Sequence, residues 1–236
     1  MTQLNRREVL THLAASGTVL TLPVPLTQGA PPKTGAHEIK PLPFDPTKLA
    51  GLSEKLLVSH HANNYGGAVR NLNKVEAELA NIGKDTPPFV IAGLKERELT
   101  FRNSAALHEL YFGNLGGDGK LGGGIADAVA TTWGTAGRFE ELFRATAMSL
   151  AGGSGWVVLG HDLHRDRIAI GCSGGHAQNL AATLPLLVLD MYEHSFHLDY
   201  GAAAAKYVDA FFANVHWQEV TNRLAAAKRA AAALRG

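Results

Sequence analysis

Eleven histidines are many for a chain of 236 residues, and three of them fall with one aspartate at spacings that let all four act together. At 100° per helical residue, His60 and Asn64 lie about 40° apart on one helix face, whereas His61 points elsewhere. His108 lies inside the helical stretch 103–112, and Asp190 and His194 are four residues apart, so both can face one centre. Three imidazoles and one carboxylate form a donor set of nitrogen and oxygen suited to divalent and trivalent first-row metals. Cys172 is the only cysteine, which excludes an internal disulfide and a thiolate zinc site. Taken singly, each histidine is more often a core or surface residue than a ligand, and Asp-x-x-x-His is a weak pattern. Both readings stay open at this level.

The elements that must position these residues are legible in the hydrophobic pattern. An apolar fraction of 46% with 18% charged residues supports a globular core. A net charge of +1, with lysines and arginines scattered, leaves no basic stripe for nucleic acid. At the N-terminus, Arg6-Arg7 precedes the moderately apolar stretch 9–26, which reads as a twin-arginine export signal cleaved near Ala30. The alternative is an ordinary tail with a chance arginine pair. Thr11, His12, Ser16 and Thr18 make the stretch too polar for a membrane span, and Pro23 and Pro25 end it, so no stable insertion is expected. A proline-rich lead-in over residues 31–45 follows. Val69, Leu72, Val75, Leu79 and Ile82 give helical spacing over residues 52–81, interrupted at Gly66-Gly67, where a kink or close backbone contact is expected. Further helices are predicted at 91–113, 123–133 and 137–151. Residues 156–159 and 167–171 are β-prone runs on either side of the polar segment 161–166, an antiparallel hairpin pattern, and 186–190 is a third strand. Helix resumes from Ala202 to the end, with an alanine-rich tail that reads as solvated. The order of elements indicates an α+β fold.

The blocks His60-His61-Ala62-Asn63-Asn64-Tyr65-Gly66-Gly67-Ala68-Val69-Arg70-Asn71-Leu72-Asn73, His108-Glu109-Leu110-Tyr111-Phe112, Gly153-Ser154-Gly155-Trp156 and Pro185-Leu186-Leu187-Val188-Leu189-Asp190-Met191-Tyr192-Glu193-His194 resemble, in order, the signatures of the iron/manganese superoxide dismutases. The similarity runs over residues 42–224. It implies a helical hairpin domain at 46–116, followed by an α/β domain at 117–236 with a three-stranded antiparallel sheet. It also implies one iron or manganese ion per subunit on His60, His108, Asp190 and His194, with solvent as a fifth ligand. The implied reaction disproportionates superoxide to dioxygen and hydrogen peroxide as the ion cycles between +3 and +2. The family places a glutamine as donor to that solvent. Here His176 stands nearest the manganese-type position, with Gln178 as the fallback, and Ser104 occupies the iron-type position. Glu193 is implied to reach His194 of a second subunit in a homodimer. Trp156 and Tyr192 are implied to wall the metal pocket, with Tyr111 and Phe112 beside it.

The departures from the family pattern are specific. Its gateway tyrosine falls on Ala68, with Tyr65 one turn away as a stand-in. Its histidine one turn after the first ligand falls on Asn64, and the tyrosine that pairs with it across the dimer falls on His197, so the pair is exchanged to Asn64 with His197. The run Gly201-Ala202-Ala203-Ala204-Ala205 stands where basic residues would draw in an anion, which predicts a slower enzyme. The leading expectation is a superoxide dismutase exported to the periplasm or cell exterior. The alternatives are a dismutase-fold metal-binding protein with weak or no turnover and, third, a zinc hydrolase, for which no general base is evident.

Overall fold

The computed structural model describes residues 36–178 and 180–235; the twin-arginine segment and the expected cleavage site lie outside them. Ser53 opens the helical region: its hydroxyl accepts from Leu56 N (3.1 Å) and caps α1 (Glu54–Ser59). The chain then passes through a π-helical turn, His60–Tyr65, into α2 (Gly66–Ala80). The interruption expected at the glycine pair is therefore this wide turn, which ends just before it. Only Gly66 makes a close approach: a Cβ there would meet Arg70 Nη1 at 2.9 Å, whereas Gly67 faces open space. A π turn inserts an extra residue per turn and rotates the side chains that follow, and such turns recur at functional positions.

The next helix, α3 (Pro88–Gly113), starts three residues earlier than its periodicity suggests, because Pro88 fits a first helical turn where no N–H partner is needed. It packs against α2. Two shorter helices, α4 (Gly124–Trp133) and α5 (Ala136–Met148), lead to the sheet.

The sheet has three antiparallel strands, β1 (Trp156–Asp162), β2 (Arg167–Ser173) and β3 (Thr183–Asp190), in the order β2-β1-β3. The hairpin is as expected, but β1 runs on into the polar segment, because His161 is buried and pairs in register with Ile168 and Leu184, and β2 extends at its other end to Ser173. In the β1–β3 ladder Leu159 faces Leu187 while Gly160 faces Pro185, so Leu186 is the extra residue of a bulge. β3 is an edge strand, which tolerates the N–H that Pro185 lacks. Gly160 has no room for a side chain: a Cβ would lie 2.3 Å from Thr183 Cγ2.

After β3 come a 3-10 turn (Glu193–Ser195), α6 (His197–Tyr200), α7 (Ala204–Ala213) and α8 (Trp217–Arg235). The single C-terminal helix expected from Ala202 is thus two helices. Asn214 breaks it by donating to Ala50 O (2.7 Å) and accepting from Ala50 N (2.9 Å), while His216 N donates to Asn114 O (2.9 Å). The alanine-rich tail is also not solvated throughout, since Ala227 and Ala231 are buried on one face of α8. No helix among the described residues is long and apolar enough to cross a membrane.

Candidate metal centre

Four elements deliver one side chain each to a common point. His60 is the first residue of the π turn, His108 lies in the last two turns of α3, Asp190 ends β3, and His194 sits in the 3-10 turn four residues on. Their ligand atoms all lie within 4.8 Å of one another. Asp190 Oδ2 is the hub, at 3.1 Å from His60 Nε2, 3.2 Å from His194 Nε2 and 3.6 Å from His108 Nε2. Three of the four residues are fully buried, and only the His194 side chain keeps part of its surface (26%).

Local hydrogen bonds orient these groups. His108 Nδ1 lies 2.7 Å from the main-chain oxygen of Ser104, which can only accept; Nδ1 therefore carries the proton and Nε2 presents its lone pair to the centre. That Nε2 is buried and has no hydrogen-bond partner. A buried acceptor left alone is costly in a folded protein, so a cation among these atoms fits both the donor set and this vacant lone pair. Burial pushes the His60 imidazole down, and holds His108 at about 3, so both rings are neutral as ligands must be. Burial alone would raise Asp190, but its bonds to His194 and His60 win and hold the carboxyl below the usual range. Its other oxygen accepts from Tyr192 N (2.8 Å).

Aromatic rings wall the cluster. Tyr111 and Phe112 lie 5.2 and 5.0 Å from the His60 ring, Trp156 stands edge-on 5.0 Å from His108, and Tyr192 stacks 5.3 Å from His194. His176 lies 6.1 Å from the His108 ring and stacks on Tyr192 at 4.6 Å. Trp156 Nε1–H donates to His176 Nδ1 (2.9 Å), and Asn103 Nδ2 donates to His176 O (2.7 Å). Burial also pushes the His176 imidazole down.

The remaining candidates are spread more widely. Gln178 is exposed and accepts from Gly174 N (2.8 Å), so its amide is engaged in the loop. The Ser104 hydroxyl stays by the His108 ring, 3.4 Å from Nδ1. Tyr65 does not stand in at position 68: its hydroxyl donates to Glu109 Oε1 (2.9 Å) and accepts from Lys40 N (2.9 Å). Ala68 is buried in the core. Asn64 is half-buried, and His197 and Glu193 are largely exposed, with His197 Nε2 4.0 Å from Glu193 Oε1.

The family described as "Iron/manganese superoxide dismutases, C-terminal domain" matches residues 121–223. An iron superoxide dismutase of Cupriavidus metallidurans is 49% identical over 194 residues, covering 82% of this chain and 98% of its own. The chain belongs to the iron/manganese superoxide dismutase family.

Among other dismutases, an iron enzyme of Saccharolobus solfataricus is 33% identical (80% of this chain, 93% of its own). A manganese enzyme of Halobacterium salinarum is 32% identical (79% and 94%). The α+β fold with its three-stranded antiparallel sheet agrees with this dismutase membership. Two parts of the dismutase site had no signal in residue type or spacing. One is the Ser104 main-chain oxygen that sets the His108 tautomer, which no side-chain pattern encodes. The other is the lead-in: Lys40 O meets His61 Nε2 at 2.8 Å and the Lys40 ammonium pairs with Glu109, so one residue ties the neighbours of two candidate ligands.

Proposed function

We propose that this chain is a superoxide dismutase in which His60, His108, Asp190 and His194 hold one iron or manganese ion. The observation that carries the reading is the convergence of three Nε2 atoms on one Asp190 oxygen, with the His108 lone pair directed inward and unpartnered. When bound, the ion supplies one-electron cycling that converts one superoxide to dioxygen and a second, with two protons, to hydrogen peroxide. The residues orient and exclude: Tyr192 N holds Asp190, Ser104 O holds His108, and Trp156, Tyr111 and Phe112 keep bulk water from the imidazoles. Because Trp156 can only donate to His176 Nδ1, neutral His176 carries its proton on Nε2, a donor for solvent at the site.

Glu193 and His197, exposed beside His194, support a homodimer in which Glu193 meets the partner's ligand histidine and Asn64 pairs with His197 across the interface. Arg6-Arg7 and the apolar stretch after them support export by the twin-arginine route to the periplasm or cell exterior. The division into a signal at 1–30, a lead-in at 31–45, a helical hairpin domain at 46–116 and an α/β domain at 117–236 belongs to the same proposal. A second reading, metal retention with weak turnover, is favoured by Ala68 and by the commitment of the Tyr65 hydroxyl to Glu109. Elemental analysis of the mature chain, with superoxide removal assayed after separate loading with iron and manganese, decides between them. Stoichiometric metal with turnover supports the dismutase; stoichiometric metal without turnover supports the second reading.

A further inference from the structure

Asp190 is held at both ends. Its carboxylate Oδ1 accepts from Tyr192 N, while its main-chain oxygen accepts from the buried hydroxyl of Tyr207 (2.7 Å); Ser195 Oγ lies between that oxygen (2.9 Å) and Tyr192 O (2.7 Å) with one proton for the two. Tyr207 comes from α7, a helix that contributes none of the four candidate ligands. Its ring stacks on Phe196 at 5.2 Å, and the residue is fully buried. A carbonyl cannot donate, so the Tyr207 proton goes to Asp190 O, and the Tyr111 hydroxyl, 3.2 Å away, donates to the Tyr207 oxygen. Tyr111 in turn places its ring against His60. One chain of hydroxyls thus links the wall of the His60 pocket, in α3, to the backbone that carries Asp190.

We propose that Tyr207 is a positioning residue for the metal centre: its hydroxyl, backed by Tyr111, fixes the Asp190 main chain and so sets where Oδ2 stands among the three imidazoles. The inference rests on the reading of Asp190 as a ligand. The carboxylate hangs from Cα on two rotatable bonds, Cα–Cβ and Cβ–Cγ. With the peptide oxygen clamped on one side and Oδ1 clamped by Tyr192 N on the other, Oδ2 has one direction left, toward the three Nε2 atoms. Releasing the carbonyl lets the backbone at the end of β3 turn and carries Oδ2 with it. Partners that orient a ligand in this way affect metal affinity on the order of 10–100-fold.

The test uses Tyr207→Phe, which keeps the ring and its stacking and removes only the hydroxyl. The full iron-loaded protein is challenged with a chelator, and its ferric electron paramagnetic resonance spectrum is recorded. The expected result is iron loss on the order of 10-fold faster than wild type and an altered rhombicity, with the melting of the metal-free protein setting the purely structural contribution. Tyr111→Phe removes the hydroxyl that backs Tyr207 while keeping the ring beside His60, and is expected to move the spectrum as well; it decides the matter alone if Tyr207→Phe does not fold. Wild-type release rates and unchanged spectra in the folded variants overturn the inference. Wild-type protein that holds neither iron nor manganese stoichiometrically overturns the ligand reading itself, and this inference with it.

Discussion

Trp156 and His176 share one hydrogen bond of 2.9 Å in which the indole is the donor, so a neutral His176 accepts through Nδ1 and presents an N–H at Nε2. The donor role proposed for His176 therefore depends on Trp156 as well as on the imidazole. In Trp156→Phe the ring wall beside His108 persists, but His176 is free to exchange tautomers. Metal content stays at one ion per chain, and turnover falls on the order of 10-fold. His176→Ala keeps the metal and shifts its reduction potential. Elemental analysis with a redox titration checks both variants, and a potential identical to wild type in His176→Ala removes His176 from the account.

The buried imidazoles give the metal-free protein a characteristic response to acid. His108 is held at about 3 in the folded chain against 6.5 as its ordinary value, and His60 is displaced in the same direction. The unfolded chain therefore takes up protons first as pH falls, and stability is full above about pH 6.5 and drains toward pH 3. One such group costs about 1.4 kcal/mol per pH unit inside that window. Between pH 7 and pH 5 His108 alone accounts for a loss of about 2 kcal/mol, or roughly 4–8 °C in melting temperature for a domain of this size, and His60 adds to it in the same direction. Melting curves of metal-free protein test it, and a flat melting temperature over that range contradicts it.

Asn114 joins two ligand-bearing elements, since its amide donates to Tyr111 O (2.9 Å) in α3 and accepts from Val188 N (2.8 Å) in β3. The residue is fully buried. Asn114→Ala strands the Val188 N–H and is expected to cost about 2–4 kcal/mol of unfolding free energy. Denaturant unfolding of metal-free protein, with the slope unchanged, reads that loss; a change under about 0.5 kcal/mol shows that the link is dispensable.

The proposed homodimer makes a separate prediction at Glu193, whose side chain is 64% exposed in the single chain. Leu198 and Val58, also exposed, lie at 50% and 46%. Glu193→Lys places a cation where a carboxylate is proposed to meet the partner's ligand histidine, and the dimer dissociation constant rises by at least about 10-fold. Sedimentation at several concentrations measures this. A wild-type chain that is monomeric at micromolar concentration removes the interface and the Asn64 to His197 pairing together.

Residue types and spacing left the quartet of His60, His108, Asp190 and His194 as one open reading, which the family resemblance singled out; the four converge from the π turn, α3, the end of β3 and the 3-10 turn. What escaped was fixed by tertiary partners. The helix break at Asn214 depends on Ala50, 164 residues away, and nothing in the local alanine-rich pattern signals it. The burial of Ala227 and Ala231 depends on which face of α8 meets the core. His161 looked like a hairpin-loop residue because it is polar, yet the β1 register carries it inside. Tyr207 carried no signal of its own in the sequence, and only its hydroxyl at Asp190 O distinguishes it. Tyr65 illustrates the reverse case: sequence proximity suggested a stand-in for the missing tyrosine, but its hydroxyl is drawn off by Glu109 and Lys40.

The most direct measurement is metal retention in Asp190→Ala beside wild type, by elemental analysis after dialysis of iron-loaded and manganese-loaded protein. Oδ2 of Asp190 is the atom on which the three imidazoles converge. One ion per wild-type chain and near-zero metal in the variant, with superoxide removal lost alongside it, is the predicted result. Equal metal content in the two proteins would contradict the assignment of this cluster as the metal site.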